Sequence, residues 1–164
     1  MIFIGGISGS GHHMILNIFR EWILRKVKFV DYEIQPCETL DTDISNIYEY
    51  DYLKFLHLTR DPRIAALSMH ERRRGAISLE DQWKVTIHNI RYIESQIDRF
   101  DVYRKLDYDG FVKNPYRYKQ DIMDIMDDLS DEEFDVAVKR IVPSKRVLKP
   151  EYNEIFKSNM EFYQ

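Results

Sequence analysis

Gly5-Gly6-Ile7-Ser8-Gly9-Ser10-Gly11-His12-His13 follows the short apolar run Ile2-Phe3-Ile4 and leads into a segment of helical periodicity. Glycines in such a place let the backbone turn its N–H groups toward an anion at the start of a helix, where the peptide dipoles favour negative charge. The chemistry to expect is phosphate binding. The plainer reading, a tight strand-to-helix turn with no ligand, is weakened by the strand that leads into it. A second segment, Leu58-Thr59-Arg60-Asp61-Pro62-Arg63-Ile64-Ala65-Ala66-Leu67-Ser68, puts an arginine where a strand ends and a serine eight residues on, in the following helix. Both can converge on one phosphate, the arginine through a charge-assisted fork. Singly they read as a surface arginine and a helix serine bonded to its own backbone. The glycine loop beside them favours a shared anion site.

Gly6 to His13 also fits the nucleoside-triphosphatase pattern G-x-x-x-x-G-K-[ST], except that His12 and His13 stand where the lysine and the hydroxyl residue belong. Those two residues supply charge to the phosphates and a ligand to Mg²⁺, so Mg-ATP chemistry is less expected than the loop alone suggests. A metal held by His12 and His13 is not expected either: adjacent helical histidines point in different directions, and no third ligand has the usual spacing.

Read together, the two segments resemble the sulfotransferases that use 3′-phosphoadenosine 5′-phosphosulfate (PAPS) as sulfuryl donor. In that family a [KR]-S-G-T-T loop after the first strand holds the 5′-phosphosulfate, a place occupied here by Gly9, Ser10, Gly11, His12 and His13. Its R-[ND]-P motif with a serine at this spacing implies that Arg60 and Ser68 bind the 3′-phosphate. Leu106-Asp107-Tyr108-Asp109-Gly110-Phe111 with Asn114-Pro115 looks like the family's fourth-strand Y-E-D-L stretch and its N-P, which implies Tyr108 near the nucleotide. Trp83 resembles a tryptophan often found in the preceding helix. The resemblance runs from Ile2 to Pro115.

The chain departs from the pattern at two places. Gly9 stands where the family has a lysine or arginine that neutralises charge on the leaving phosphate, so stabilisation must come from elsewhere, with His12, His13 or a basic residue of Lys145-Arg146 as candidate substitutes. Met14 stands where many members have an aromatic residue over the adenine. The family's base is a His or Glu at or shortly after the second strand; Asp31, Glu33 and Glu38 lie there, and Glu33 is the chosen candidate, with His13 as rival. The implied activity is transfer of a sulfuryl group from PAPS to a hydroxyl on a sugar, lipid or small metabolite, leaving 3′-phosphoadenosine 5′-phosphate. Two other readings stand beside it: a kinase-like P-loop protein with an altered loop, and a nucleotide-binding relic without catalysis.

These residues need an α/β scaffold. Helical spacing of Met14, Ile15, Ile18, Phe19, Trp22 and Ile23 predicts a helix from His13 to Lys26. Further strands are expected at Val27 to Ile34, Tyr52 to Thr59 and Val102 to Tyr108, with Gln35 to Asp51 mostly loop. Asp61-Pro62 opens a helix to about Arg74. Ser78 to Asp81 resembles a capping box for a helix to about Arg99; Asn114-Pro115 opens a helix carrying Ile122 to Leu129; and Ser130 with Glu133 caps one ending near Ile141. Alternating strands and helices predict a single domain over residues 1–164: a three-layer α/β/α fold, P-loop NTPase-like, with a mainly parallel central sheet and the ligand at its C-terminal edge. Glu71-Arg72-Arg73-Arg74 reads as a solvated basic helix end outside the site. Little chain remains for an acceptor pocket beyond Gln35 to Asp51 and the tail.

Bulk properties agree with an enzyme of this kind. The 164 residues are enough for one core, and 44% hydrophobic with 32% charged residues is ordinary globular composition. A net charge of −4 argues against a main role in gripping nucleic acid. Cys37 is the lone cysteine, which fits a reducing compartment, and nothing approaches a signal peptide or a membrane span, so a cytoplasmic protein is expected.

Overall fold

Ile2-Phe3-Ile4-Gly5-Gly6 is buried at every position and forms strand β1 (Ile2–Gly6), as a strand must be when both faces of its sheet are covered. In the computed structural model, which describes residues 2–7, 9–26 and 52–157, β1 pairs in parallel with β2 (Lys54–Thr59), and β2 in parallel with β3 (Val102–Asp107). Gly6 lies opposite Leu58 and Thr59 opposite Asp107, so the three strands stop at a common edge. The strand expected at Val27 to Ile34 lies outside the described residues. Tyr52 and Leu53 precede β2 rather than joining it, and Tyr108 leaves β3 to open a helix.

Period-two alternation sends the strand side chains into two cores. Ile2, Ile4, Leu56, Leu58 and Leu106 face one way, onto α1 (His12–Ile18), α2 (Arg20–Arg25), α5 (Tyr108–Lys113), α6 (Lys119–Ile125) and α7 (Asp131–Val138), through Ile15, Trp22, Phe111, Ile122 and Phe134. Phe3 and Phe55 face the other way, onto Ala65 of α3 (Pro62–Arg72), Ile93 of α4 (Leu79–Ser95) and Phe100. A third cluster joins α3 and α4 to α8 (Asn153–Lys157), where Phe156 meets the buried Trp83 edge-on at 5.0 Å. The described residues are therefore mixed α/β, with a parallel three-stranded sheet covered on both faces.

Local signals set most of the helix starts. The Asp61 carboxylate accepts from the Arg63 amide at 2.9 Å, with Pro62 as the first helical residue of α3. Ser78 Oγ accepts from the Asp81 amide at the head of α4, and Ser130 and Glu133 bond each other's amides at 3.1 and 2.9 Å in a reciprocal capping box before α7. Several ends differ from expectation. The helix predicted from His13 to Lys26 breaks at Phe19, whose φ and ψ of −99° and 17° leave the helical region as its ring packs on Phe134. Helix α4 stops at Ser95 and a 3-10 turn follows at Ile97–Arg99. Asn114-Pro115 opens a 3-10 turn, Pro115–Tyr118, before α6, and α6 ends at Ile125, with Met126 and Leu129 buried beyond it. Among the described residues no helix is long and apolar enough to cross a membrane.

Candidate anion-binding site

The shared strand edge delivers three connections to one place: the glycine loop after β1, Arg60 after β2 and Tyr108 after β3. Two glycines of the loop take conformations closed to other residues at low cost, Gly9 at φ +91° and Gly11 at φ +96°. A Cβ on Gly9 would stand 2.8 Å from the Ala65 carbonyl of α3, and one on Gly11 would run into the Tyr108 ring. The loop is thus pressed between α3 and α5, and the Ser10 amide closes its turn on the Ile7 carbonyl at 3.0 Å.

A cleft of about 120 Å³ opens at this junction. Gly9, Gly11, His12 and His13 line one side, with Arg60, Ser68 and Tyr108 opposite. The sequence separates these residues by almost a hundred positions; the strand edge brings them together. His12 is buried and His13 exposed, with ring centroids 4.0 Å apart and tilted 45°, closer than divergent neighbours on a helix would be. Among the described residues no three His, Cys, Asp or Glu side chains gather as a metal site. Ser10 does not line the cleft: its side chain is buried, and its Oγ has no hydrogen-bond partner among the described residues.

Arg60 is the central cation. Its side chain is only 5% exposed, stacks its guanidinium 4.4 Å from the centre of the Tyr108 ring and pairs with the exposed Asp109 at 3.6 Å. Burying a guanidinium with so long an ion pair is costly, and its Nε also lacks a hydrogen-bond partner among the described residues. An anion in the cleft would supply both.

Arg72 lines the cleft as well, while Glu71 to Arg74 are all exposed, as a solvated basic helix end is expected to be. Ser68 and Arg72 are four residues apart on α3 and so share a face. That spacing could have revealed it. Ser144 and Arg146 close the cleft from the segment before α8. The Ser144 amide donates to the Tyr108 hydroxyl at 3.1 Å, and Arg146 Nε donates to Glu71 at 2.9 Å. Of the basic pair expected to replace a loop lysine, Arg146 is at the cleft. Met14 also lines it. Glu33, the expected base, lies outside the described residues, as do Asp31 and Glu38.

Ser10→Ala tests the reading of the unpartnered hydroxyl. Removing a buried group with no partner should leave the denaturation midpoint unchanged or slightly raised, because its desolvation cost disappears. A phosphate ligand that reaches this hydroxyl should bind less tightly to the variant, by the ~1.5–3 kcal/mol of a hydrogen bond to a charged group. A variant that loses stability and keeps its affinity would show the hydroxyl to be structural.

A second and larger cavity, about 390 Å³, lies beyond Arg60, which lines both spaces. His57 of β2 forms part of its wall. The ring stacks on Phe55 at 5.1 Å, and Nδ1 lies 2.8 Å from the Tyr103 hydroxyl. Burial, aided by the charge of Lys105, holds the ring's pKa down at about 4, and burial with the Glu94 carboxylate pushes the Tyr103 hydroxyl up to about 12. His57 is therefore neutral at pH 7. An unfolded chain keeps the ring near 6.5 and takes up the proton first as pH falls. Its contribution to stability is full above about pH 6.5 and is lost progressively down to about pH 4. Denaturant midpoints at pH 7.5 and pH 5 should show a smaller drop in His57→Gln than in wild type; equal drops would mean that other groups dominate.

Compared with known proteins, the chain matches no protein-family model and no curated protein.

Proposed function

We propose that the protein is a sulfotransferase that passes a sulfuryl group from PAPS to a hydroxyl on a sugar, lipid or small metabolite, using a P-loop-like α/β domain. The observation that supports this most is the meeting of a buried, incompletely partnered Arg60 with Ser68 and the glycine loop at one small cleft. The donor set suits a ligand with two phosphate groups: the loop backbone on one side, Arg60, Ser68 and Arg72 on the other. Gly9 and Gly11 let the loop lie close against Ala65 and the Tyr108 ring, which brings its backbone to the same cleft as Arg60. The first helix contributes little, since α1 has seven residues; convergent side-chain cations carry the reading.

PAPS, when bound, supplies a sulfuryl group already joined to a good leaving phosphate. The acceptor oxygen forms a bond to sulfur, the bond from sulfur to the bridging phosphate oxygen breaks, and the hydroxyl proton leaves, giving a sulfate ester and 3′-phosphoadenosine 5′-phosphate. The protein's share is in-line placement and stabilisation of charge on the leaving phosphate. Arg60 and Ser68 would anchor the 3′-phosphate and so fix the reach of the reacting end. With Gly9 in the loop, Arg146 is the cation best placed to take over the neutralising role, and it would have to exchange Glu71 for the phosphate. His13, exposed at the cleft, is the side chain that would hold or take the acceptor's proton.

Calorimetric titration with adenosine 3′,5′-bisphosphate, Mg-ATP and 5′-AMP tests the reading. The bisphosphate is expected to bind tightest. If Mg-ATP wins, the kinase-like reading takes its place, and if the bisphosphate binds no better than 5′-AMP, the sulfotransferase reading fails. Tight binding of the bisphosphate with no turnover of PAPS across an acceptor panel would identify a relic.

A further inference from the structure

The cavity beyond Arg60 has no assigned role, although it lies at the same strand edge as the anion cleft. Its volume, about 390 Å³, is within the range of small-molecule sites. Ile7, Leu58, Pro62 and Ile90 give it apolar walls. Among its carboxylates, Asp61 is taken by the Arg63 amide and guanidinium, and Asp107 by the Gly110 amide at 2.7 Å. Beside the buried Arg60, which faces Asp109 and the Tyr108 ring, two charged groups remain. Glu94, near the end of α4, and Lys105, on β3, both line the cavity and are exposed, and among the described residues neither makes an ion pair or a side-chain hydrogen bond. Lys105 is the cross-strand partner of His57, so its position follows from the sheet register.

A chamber with apolar walls on one part of its lining, one free carboxylate and one free ammonium suits a ligand with the opposite pair of charges and an apolar body. We propose that this cavity binds a small zwitterion of the amino-acid type, its ammonium on Glu94, its carboxylate on Lys105 and its body along Ile7, Leu58 and Ile90. The polar end of the body reaches the inner wall, where His57 and Arg60 stand. Neither charge alone selects this class: a carboxylate at the rim suits any amine, and an ammonium any acid. Their occurrence together over an apolar floor is what narrows it. That this ligand is the sulfuryl acceptor rests on the donor-site reading above; the binding itself does not.

L-tyrosine is a suitable probe, having both charges, an apolar ring and a terminal hydroxyl. Binding to the full chain is followed by calorimetry and by the ring signals of His57, assigned from their disappearance in His57→Gln. L-tyrosine should bind saturably and shift those signals, while N-acetyl-tyrosine and tyrosine methyl ester, each lacking one charge, should bind at least tenfold more weakly. The exposed positions allow Glu94→Gln and Lys105→Gln without loss of fold. In Glu94→Gln the penalty for N-acetylation should vanish while that for esterification persists, and Lys105→Gln should show the reverse. Absence of saturable binding, or unchanged penalties in both variants, overturns the proposal. Adenosine 3′,5′-bisphosphate titrated alongside separates the two readings: if it binds and L-tyrosine does not, the zwitterion site fails and the donor site stands; if only L-tyrosine binds, the reverse holds.

Discussion

Arg60→Ala should abolish the preference for adenosine 3′,5′-bisphosphate over 5′-AMP. Among the described residues Arg60 is the only arginine reaching the cleft from a strand end, and its side chain is only 5% exposed, so water cannot readily replace it. The expected loss is at least the ~1.5–3 kcal/mol of a charged hydrogen bond, about tenfold to 150-fold in affinity. The fold should survive, since the ion-pair partner Asp109 is 56% exposed and can be hydrated once released. Arg60→Lys separates charge from shape: an ammonium keeps the attraction and gives up the fork, so it should recover part of the affinity. Unchanged bisphosphate affinity in Arg60→Ala, with the variant folded, would remove the 3′-phosphate from this place.

The second large effect falls on Gly11. At φ +96° an alanine carries strain of about 1–3 kcal/mol, and its methyl group would overlap the Tyr108 ring, an overpacking cost of about 1–3 kcal/mol more. Gly11→Ala should therefore lower unfolding free energy by roughly 2–6 kcal/mol. It should also weaken nucleotide binding, because a displaced Tyr108 takes Arg60 with it. Combining Gly11→Ala with Tyr108→Ala relieves the overlap and leaves the strain, so the pair should cost less than the sum of the two single changes. Denaturant melts of the four proteins decide this; a Gly11→Ala protein within about 0.5 kcal/mol of wild type would mean that the loop relaxes freely.

Local chemistry made the frame of this fold legible. The all-apolar Ile2 to Ile4, the glycines after it, Asp61-Pro62 and the Ser130–Glu133 box each act within a few residues, and the strand, loop and caps appear where they predict. What failed depends on distant partners. The break at Phe19 follows from packing on Phe134, more than a hundred residues away, and α8 exists where Phe156 can cover Trp83. In the site, Arg72 was legible from its spacing to Ser68 and was hidden by the basic run around it. His57, Glu94 and Lys105 could not be grouped from sequence: they come from β2, α4 and β3, and only the register of the parallel strands sets two of them side by side. Glu33 had a strand-end position to recommend it and lies where the structure gives no description.

The bond from the Ser144 amide to the Tyr108 hydroxyl has a practical consequence. It ties the segment before α8 to the aromatic plate beneath Arg60, so the exchange rate of one backbone hydrogen with solvent reads out the state of the cleft from its wall. An amide held this way exchanges only when its acceptor moves away. Anything that displaces the Tyr108 ring unlocks that hydrogen, and a ligand that pins Arg60 over the ring protects it. The protein thus carries a built-in, label-free gauge of the cleft in one backbone amide of its wall.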